Sequence, residues 1–174
     1  MNDKIKDLTQ GDLRRHLYQL ALPIMGTSFI QIAYSFTDMI WLGQLSSKAL
    51  AAVGAAAVFS WIAASISLIT KTGSEVTISQ SVGAGRLDEA RSYASHNVLM
   101  SLLLGLGMLL LYAALAAPMI DLYQLEPEVR SDALHYFYIS LIGFPEVYLT
   151  AALTGLYNAI GDSRTPFRIS CVGL

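Results

Sequence analysis

The chain has 174 residues, of which 54% are hydrophobic and only 14% charged, and its formal net charge is −2. This composition excludes a typical nucleic-acid-binding surface, because such a surface needs clustered lysine and arginine to bind the phosphates. The single cysteine, Cys171, excludes an internal disulfide framework and has no cysteine partner for a metal site. We therefore expect neither a nucleic-acid partner nor a bound cofactor.

Four segments predict transmembrane helices. Each carries at most one Asp, Glu, Lys or Arg over at least about 20 residues, the length that a helix needs to cross a bilayer. The predicted spans are residues 17–43, 49–80, 92–120 and 133–160. A fifth helix is predicted over 165–174, too short to cross, so we expect further helices beyond Leu174. The expected fold class is an all-α integral membrane protein with four complete transmembrane helices and the start of a fifth.

A polar stripe headed by Asp38 runs along the first predicted helix. At about 100° per residue, Thr27, Gln31 and Tyr34 lie within about 40° of Asp38, and Ser35 lies within about 60°. A carboxylate at membrane depth costs a few kcal/mol or more, so by default it faces a cavity or a partner. We predict that Asp38 couples ion binding to function and that the other four residues line a polar cavity. The alternative is that Asp38 reaches water at the outer interface.

Pro23 lies inside the same predicted helix. A proline removes one backbone hydrogen bond and bends a helix, which neighbouring helices tolerate within a membrane. Two interpretations stay open: a fixed kink, which is the commoner case, and a hinge at which the helix changes its bend.

The second and third predicted helices contain residues typical of helix packing and no candidate functional site. The second begins with alanines and a glycine, and small residues allow close contact between helices in lipid. Lys71 and Glu75 are four residues apart, a spacing that allows an ion pair on one helix face. Gly83 and Gly85 are expected to end the helix. The third helix has no charged side chain after His96 and is expected to face lipid.

Glu146 lies near the middle of the fourth predicted helix, beside Pro145. One interpretation makes it a second ion-coupling acid. The other makes it a structural acid, paired with a neighbouring helix or with backbone that the proline frees. Tyr138 and Tyr148 of this helix, together with Tyr34 and Phe36 of the first helix, are candidates for cation–π and apolar contacts with a bulky substrate. Helix packing is nevertheless the commoner role of any single aromatic residue.

The basic residues predict the orientation of the chain. Cytoplasmic loops of membrane proteins carry the excess of Lys and Arg. With the amino terminus inside, only Lys48 and Arg130 lie outside, whereas eight basic residues lie at the cytoplasmic ends. These are Lys4, Lys6, Arg14, Arg15, Arg86, Arg91, Arg164 and Arg168. We therefore predict a multi-pass protein of the cell (inner or plasma) membrane with a cytoplasmic amino terminus.

Four segments of the sequence resemble the multidrug and toxic compound extrusion (MATE) transporters of bacterial type. LALPI, followed by TDMIWLGQLSSKALAAVG, resembles the first helix, the outer loop and the second helix of that family. SVGAGRLDEAR resembles its first inner loop, and GLYNAIGDSRTPF resembles its connection between the fourth and fifth helices. Each segment alone is a weak signal, but their order and spacing together make the resemblance specific.

The resemblance implies a transporter of twelve helices in two six-helix lobes, of which residues 1–174 would form an incomplete first lobe. It implies export of small organic cations across the lipid bilayer in exchange for H⁺ or Na⁺. Asp38 matches the first-helix aspartate implicated in ion coupling, and Pro23 matches a first-helix proline that is debated as a bending point. No family role is matched by Glu146, so whether Asp38 is the only coupling acid of this lobe stays open.

Three alternatives are considered beside this function. A lipid-linked saccharide flippase of the same superfamily would need cationic residues inside the lobe to bind phosphate, and the deep charges identified from the sequence are acidic. An intramembrane enzyme would need a nucleophile–base pair or metal ligands at depth, whereas His16, His96 and His135 all lie near helix ends. The third alternative is a non-transporting membrane fragment that serves only in assembly.

Overall fold

The computed structural model describes residues 13–172, and these residues form six α-helices and no strand. The helices are α1 (Leu13–Leu45), α2 (Ser47–Gly83), α3 (Leu87–Asp121), α4 (Pro127–Leu141), α5 (Phe144–Ala159) and α6 (Arg164–Val172). The predicted all-α class is confirmed. Residues 1–12, which include Lys4 and Lys6, and residues 173–174 lie outside the described part of the chain.

Three helices are long and apolar enough to cross a membrane: α1 over His16–Gln44, α2 and α3. Taken together, α4 and α5 are also long and apolar enough, which gives a fourth span if this bent pair is counted as one. By length and composition, the described residues therefore fit a multi-pass membrane protein. With 33, 37 and 35 residues, α1, α2 and α3 are longer than the predicted spans, because the more polar turns at their ends remain helical.

The fourth predicted span, 133–160, is not a single helix. It is broken at Ile142–Gly143, and α4 and α5 are bent by 45° relative to each other. Pro145 accounts for the break, because its ring clashes with the carbonyl group four residues earlier and it has no N–H to continue the hydrogen-bond ladder. As a result, Glu146 does not lie at the middle of a helix, as the sequence predicted, but in the first turn of α5.

The core of the bundle lies between α2, α3, α4 and α5. Tyr112 of α3 contacts Phe137 of α4 and Phe144 of α5, with ring centroids 6.0 and 5.7 Å apart. Four alanines form the packed face of α2, each at most 5% exposed: Ala52, Ala55, Ala56 and Ala63. The predicted close helix contact of small residues is therefore confirmed for Ala52, Ala55 and Ala56, whereas a Cβ atom on Gly54 would have no atom within 4 Å.

The edge of the bundle is formed by α1 and α6. The described contacts of α1 are with α2 and α6, and residues 31–40 of α1 are all exposed. The fifth predicted helix begins one residue earlier than expected, at Arg164, and Asp162 caps it. The carboxylate of Asp162 accepts hydrogen bonds from the Thr165 backbone N–H at 3.3 Å and from the Thr165 hydroxyl at 2.6 Å.

Ion pairs join the helix ends at one side of the bundle. The Lys48 ammonium lies 3.6 Å from the Glu126 carboxylate and also binds Glu128, and Arg130 Nη2 donates to Asp121 at 3.1 Å. These contacts bring the start of α2, the end of α3 and the start of α4 together. Exposed ion pairs contribute little to stability. These pairs instead indicate that the three helix ends lie on the same side of the bundle.

Candidate functional site

A cleft of about 370 Å³ lies between α1, α2, α5 and α6. Its volume falls within the range of about 300–1,000 Å³ that small-molecule sites usually occupy. Serine, threonine and amide side chains alternate with apolar ones along its walls, and its two charged lining residues are Lys71 of α2 and Glu146 of α5. The cleft is therefore suited in size and polarity to an organic molecule that carries charge.

Three of the predicted site residues meet at this cleft. Thr27 and Gln31, about one turn apart on α1, line it together with Glu146. The Oε1 atom of Glu146 accepts a hydrogen bond of 3.1 Å from Thr150 Oγ1, which lies one turn further along α5. The start of the predicted polar stripe and the second candidate acid thus share one cavity, while their roles in transport stay predictions.

Asp38 lies further along α1. It is seven residues beyond Gln31, about 10 Å along the helix axis, and it is not among the residues that line the cleft. Asp38 is exposed, and Tyr34, one turn before it, is 53% exposed. The described helices do not cover this part of the stripe. Asp38 and Glu146 therefore do not meet in the cleft.

A second cleft, of about 430 Å³, lies beside the first, between α1 and Trp61 of α2. Ser35 lines this second cleft, and Gln31 borders both. The predicted stripe therefore runs from the first cleft at Thr27, past Gln31, to the second cleft at Ser35. Helical periodicity places these residues on one face but does not show that the face borders two clefts.

Tyr138 and Tyr148 do not line the cleft that contains Glu146. Tyr148 is 1% exposed, and its hydroxyl donates to the Ala63 carbonyl of α2 at 2.7 Å. Tyr138 is 44% exposed on α4, and its hydroxyl donates to the Ala113 carbonyl of α3 over 3.5 Å. Tyr148 also lines a further cleft of about 360 Å³ between α2, α4 and α5, and a substrate contact of either tyrosine stays a prediction.

Pro23 lies within α1, which continues as a helix on both sides of it. The hydroxyl of Thr27 donates to the Pro23 carbonyl at 3.0 Å. Three residues after the proline, Gly26 faces the ring of Phe167 on α6, and a Cβ atom on Gly26 would lie 2.6 Å from that ring. Phe167 of α6 therefore packs on α1 close to Pro23. The role of Pro23 as a hinge stays a prediction.

The end of the cleft that Lys71 lines contains residues that the sequence did not identify as site residues. The spacing of Lys71 and Glu75 allows an ion pair, but Glu75 Oε1 instead accepts a hydrogen bond of 2.8 Å from Asn158 Nδ2 on α5. No ion pair within residues 13–172 includes Lys71. Lys71 is therefore a charged residue of the cleft that the sequence did not identify as a site residue, although a lysine within an otherwise apolar helix was a signal for it.

Clustered metal ligands are absent from the part of the chain that the structure describes. No group of three His, Cys, Asp or Glu side chains there could hold a metal ion together.

The family of the chain is shown by comparison with known proteins. The MatE family model matches residues 23–174. The chain belongs to this family. The match begins at Pro23 and covers most of α1 and all later helices, so the resemblance inferred from four short segments is confirmed.

Curated relatives of this MatE chain are named as drug-resistance proteins. It is 29% identical over 160 residues to a probable multidrug resistance protein NorM of Thermotoga maritima, a match that covers 91% of this chain and 34% of that protein. It is 33% identical over 153 residues to a probable multidrug resistance protein NorM of a Synechococcus species, covering 87% and 30% respectively. The chain spans about a third of the length of these relatives.

Solved structures share the fold of the chain. A MATE crystallised in complex with MaD5 has a TM-score of 0.92 at 22% identity, over 98% of this chain and 39% of that one. An outward-facing multidrug resistance MATE family transporter of the MOP superfamily has a TM-score of 0.83 at 24% identity, over 94% and 36%. At such identities the matches establish the architecture, and the function has to be argued from the site.

Proposed function

We propose that the protein containing this chain is a membrane antiporter that exports small organic cations in exchange for H⁺ or Na⁺. Membership of the MatE family and the names of the curated relatives support a drug exporter. The observation that carries the proposal is the cleft of about 370 Å³ in which Glu146 shares the walls with Thr27 and Gln31. A carboxylate beside a ligand-sized polar cleft, within a membrane bundle, is suited to bind an organic cation.

Exchange requires that binding of the ion and binding of the organic cation affect each other. Glu146 lines the cleft itself, so H⁺ or Na⁺ on its carboxylate would compete directly with a cationic substrate. Asp38 is about 10 Å beyond Gln31 on α1, so it would act through the position of α1 rather than by direct competition. Neutralising Asp38 and neutralising Glu146 are therefore expected to impair transport in different ways.

The proposed orientation places the amino terminus in the cytoplasm of the cell. Arg86, Arg91 and Arg164 lie at the bundle end where α2 finishes and α6 begins. Lys48 and Arg130 lie at the other end, where acidic residues pair with both. Glu89 pairs with Arg86 and Asp88 pairs with Arg91 at the first end, but the positive-inside rule counts Lys and Arg rather than net charge, so the excess of basic residues at that end supports this orientation.

Transport in everted membrane vesicles tests the proposal. The complete protein is expressed in a pump-deficient host, and uptake of a fluorescent organic cation is followed under an imposed pH gradient and then under a Na⁺ gradient. Wild type should respond to one of the two gradients. Asp38→Asn should lose the response to that gradient, and Glu146→Gln should require a higher concentration of the cation. Asp132→Asn, which changes an exposed acid of α4 away from the cleft, serves as the matched control.

Two results would contradict parts of the proposal. If wild type moves the cation under neither gradient, cation antiport is wrong for this protein. If Asp38→Asn inserts into the membrane and transports like wild type, Asp38 is not a coupling acid, and the coupling must depend on Glu146 or on residues outside this chain.

A further inference from the structure

The end of the cleft that Lys71 lines holds a positive charge that export of a simple cation does not require. Lys71 is partly buried on α2 and lines the cleft. A lysine within a membrane helix is costly and marks a functional site by default. We propose that Lys71, Ser163 and Asn158 form a subsite for the anionic group of an amphoteric organic substrate whose cationic end lies toward Glu146. This inference rests on the proposed transport function and deepens it by naming the class of substrate.

Two buried polar atoms support the subsite. Ser163 is 2% exposed, and its Oγ atom has no hydrogen-bond partner. The Oδ1 atom of Asn158 is likewise buried without a partner, and both residues line the cleft with Lys71. Buried polar atoms are nearly always hydrogen-bonded, so two exceptions beside one lysine point to a ligand that bonds with them. The Ser163 hydroxyl can donate to an anionic oxygen, and Asn158 Oδ1 can accept from an N–H or O–H group of the same ligand.

Neighbouring contacts determine which groups face the ligand. Asn158 Nδ2 donates to Glu75 Oε1 at 2.8 Å, which leaves Oδ1 as the free end of the amide. Glu75 does not line the cleft, and the ion pairs described within residues 13–172 do not join it to Lys71. Gly155 packs against the backbone of Lys71, and a Cβ there would lie 3.0 Å from Ser74 Cβ. Lys71 therefore lies where α5 packs closely on α2 at Gly155, and it lines the cleft together with Asn158.

The two charges of the cleft lie at different depths. Tyr148 bonds to Ala63, and Gly155 packs against Lys71, so α2 and α5 run side by side in the same direction. Glu146 precedes Gly155 by nine residues, which is about 13 Å along the helix. A molecule with a cationic group at one end and a carboxylate at the other would place each group against the opposite charge. A substrate with only a cationic group would gain nothing from the lysine.

Equilibrium binding of a matched pair of dyes tests the subsite. The complete purified protein is titrated with a rhodamine that has a free carboxylate and with the methyl ester of the same dye, and binding is followed by fluorescence anisotropy. Wild type should bind the acid more tightly than the ester. Lys71→Gln should lose about tenfold in affinity for the acid and keep its affinity for the ester, and Lys71→Arg should preserve the preference for the acid. Lys48→Gln, which changes a lysine outside the cleft, is the matched control.

Ser163→Ala provides a second route to the same answer if the lysine variants do not fold. It should weaken binding of the acid about two- to threefold and leave the ester unchanged. Equal affinities of wild type for the two dyes, or an equal loss for both in Lys71→Gln, would overturn the subsite. An isoprenoid phosphate that displaces the acid dye more strongly than a soluble carboxylate does would assign Lys71 to a lipid phosphate and overturn the amphoteric substrate. Binding needs no gradient, so a dye that binds as expected but is not exported would contradict only the proposed function.

Discussion

Two neighbouring glycines of α3 should respond in opposite ways to alanine, because only one of them touches α5. Gly105 is buried, and a Cβ atom there would lie 2.7 Å from Pro145 Cα, 3.2 Å from Tyr148 Cβ and 3.3 Å from the Phe144 carbonyl oxygen. Gly107, two residues later in the same helix, has no atom within 4 Å of such a Cβ. An added methyl group therefore has to displace backbone at the first position and meets open space at the second.

The free energy of unfolding should separate the two variants. Replacing glycine by alanine in a helix is favourable by about 1 kcal/mol, and both variants share this gain. Only Gly105→Ala also forces a methyl group into the first turn of α5, and overpacking of this kind typically costs about 1–3 kcal/mol. We expect Gly107→Ala to be slightly more stable than wild type, and Gly105→Ala to be less stable than Gly107→Ala by about 1–3 kcal/mol.

Thermal unfolding of the complete protein in one detergent, followed by tryptophan fluorescence, measures this difference. The comparison between the two variants removes the helix-propensity contribution, so the remaining difference reports the contact with α5. If Gly105→Ala and Gly107→Ala unfold at the same temperature, α3 does not approach the break at Pro145 as closely as the structure places it. The packing described here for α3 and α5 would then be refuted.

Two further predictions concern individual hydrogen bonds. Tyr148→Phe removes the buried hydrogen bond to the Ala63 carbonyl and should lower the free energy of unfolding by about 1 kcal/mol. Tyr138→Phe removes only a long, exposed hydrogen bond and should have little effect in the same unfolding experiment. Equal losses of stability in the two variants would contradict the different burial of the two hydroxyls. Asp162→Ala removes both bonds to Thr165 and should destabilise the start of α6 by about 1 kcal/mol, with Asp162→Asn recovering part of it. Faster hydrogen exchange of the α6 amides is the measurement, and unchanged protection would show that Asp162 is not the cap.

The transmembrane spans could be predicted from the sequence because bilayer thickness imposes a minimum length on each apolar run. The break in the fourth span was missed although its signals, Gly143 and Pro145, are visible in the sequence. Membrane helices often tolerate proline, because neighbouring helices and side chains satisfy the freed backbone groups. Whether a proline bends a helix or interrupts it depends on what packs beside it, and here the neighbour is Gly105 of α3.

The lining of the cleft was harder to predict, for a reason specific to membranes. In water, helical periodicity separates a buried apolar face from a polar one. In lipid, both the packed face and the outer face are apolar, so periodicity alone does not distinguish Tyr148, which is buried, from Tyr138, which is exposed. Spacing within one helix allowed a pair between Lys71 and Glu75, but the partner of Glu75 is Asn158 on another helix.

The positions of Asp38, Glu146 and Lys71 restrict how ion binding could be coupled to transport. Glu146 and Lys71 line the cleft, whereas Asp38 lies beyond it on α1. In the proposed mechanism, an ion bound at Asp38 can therefore affect the cleft only if α1 moves relative to α5. No part of the apolar stretch of α1 is buried in the described bundle, and an element with few buried contacts moves at the lowest cost. Because Phe167 packs on Gly26 beside Pro23, a change of bend at that proline would move α6 as well, and with it the wall of the cleft that adjoins Ser163.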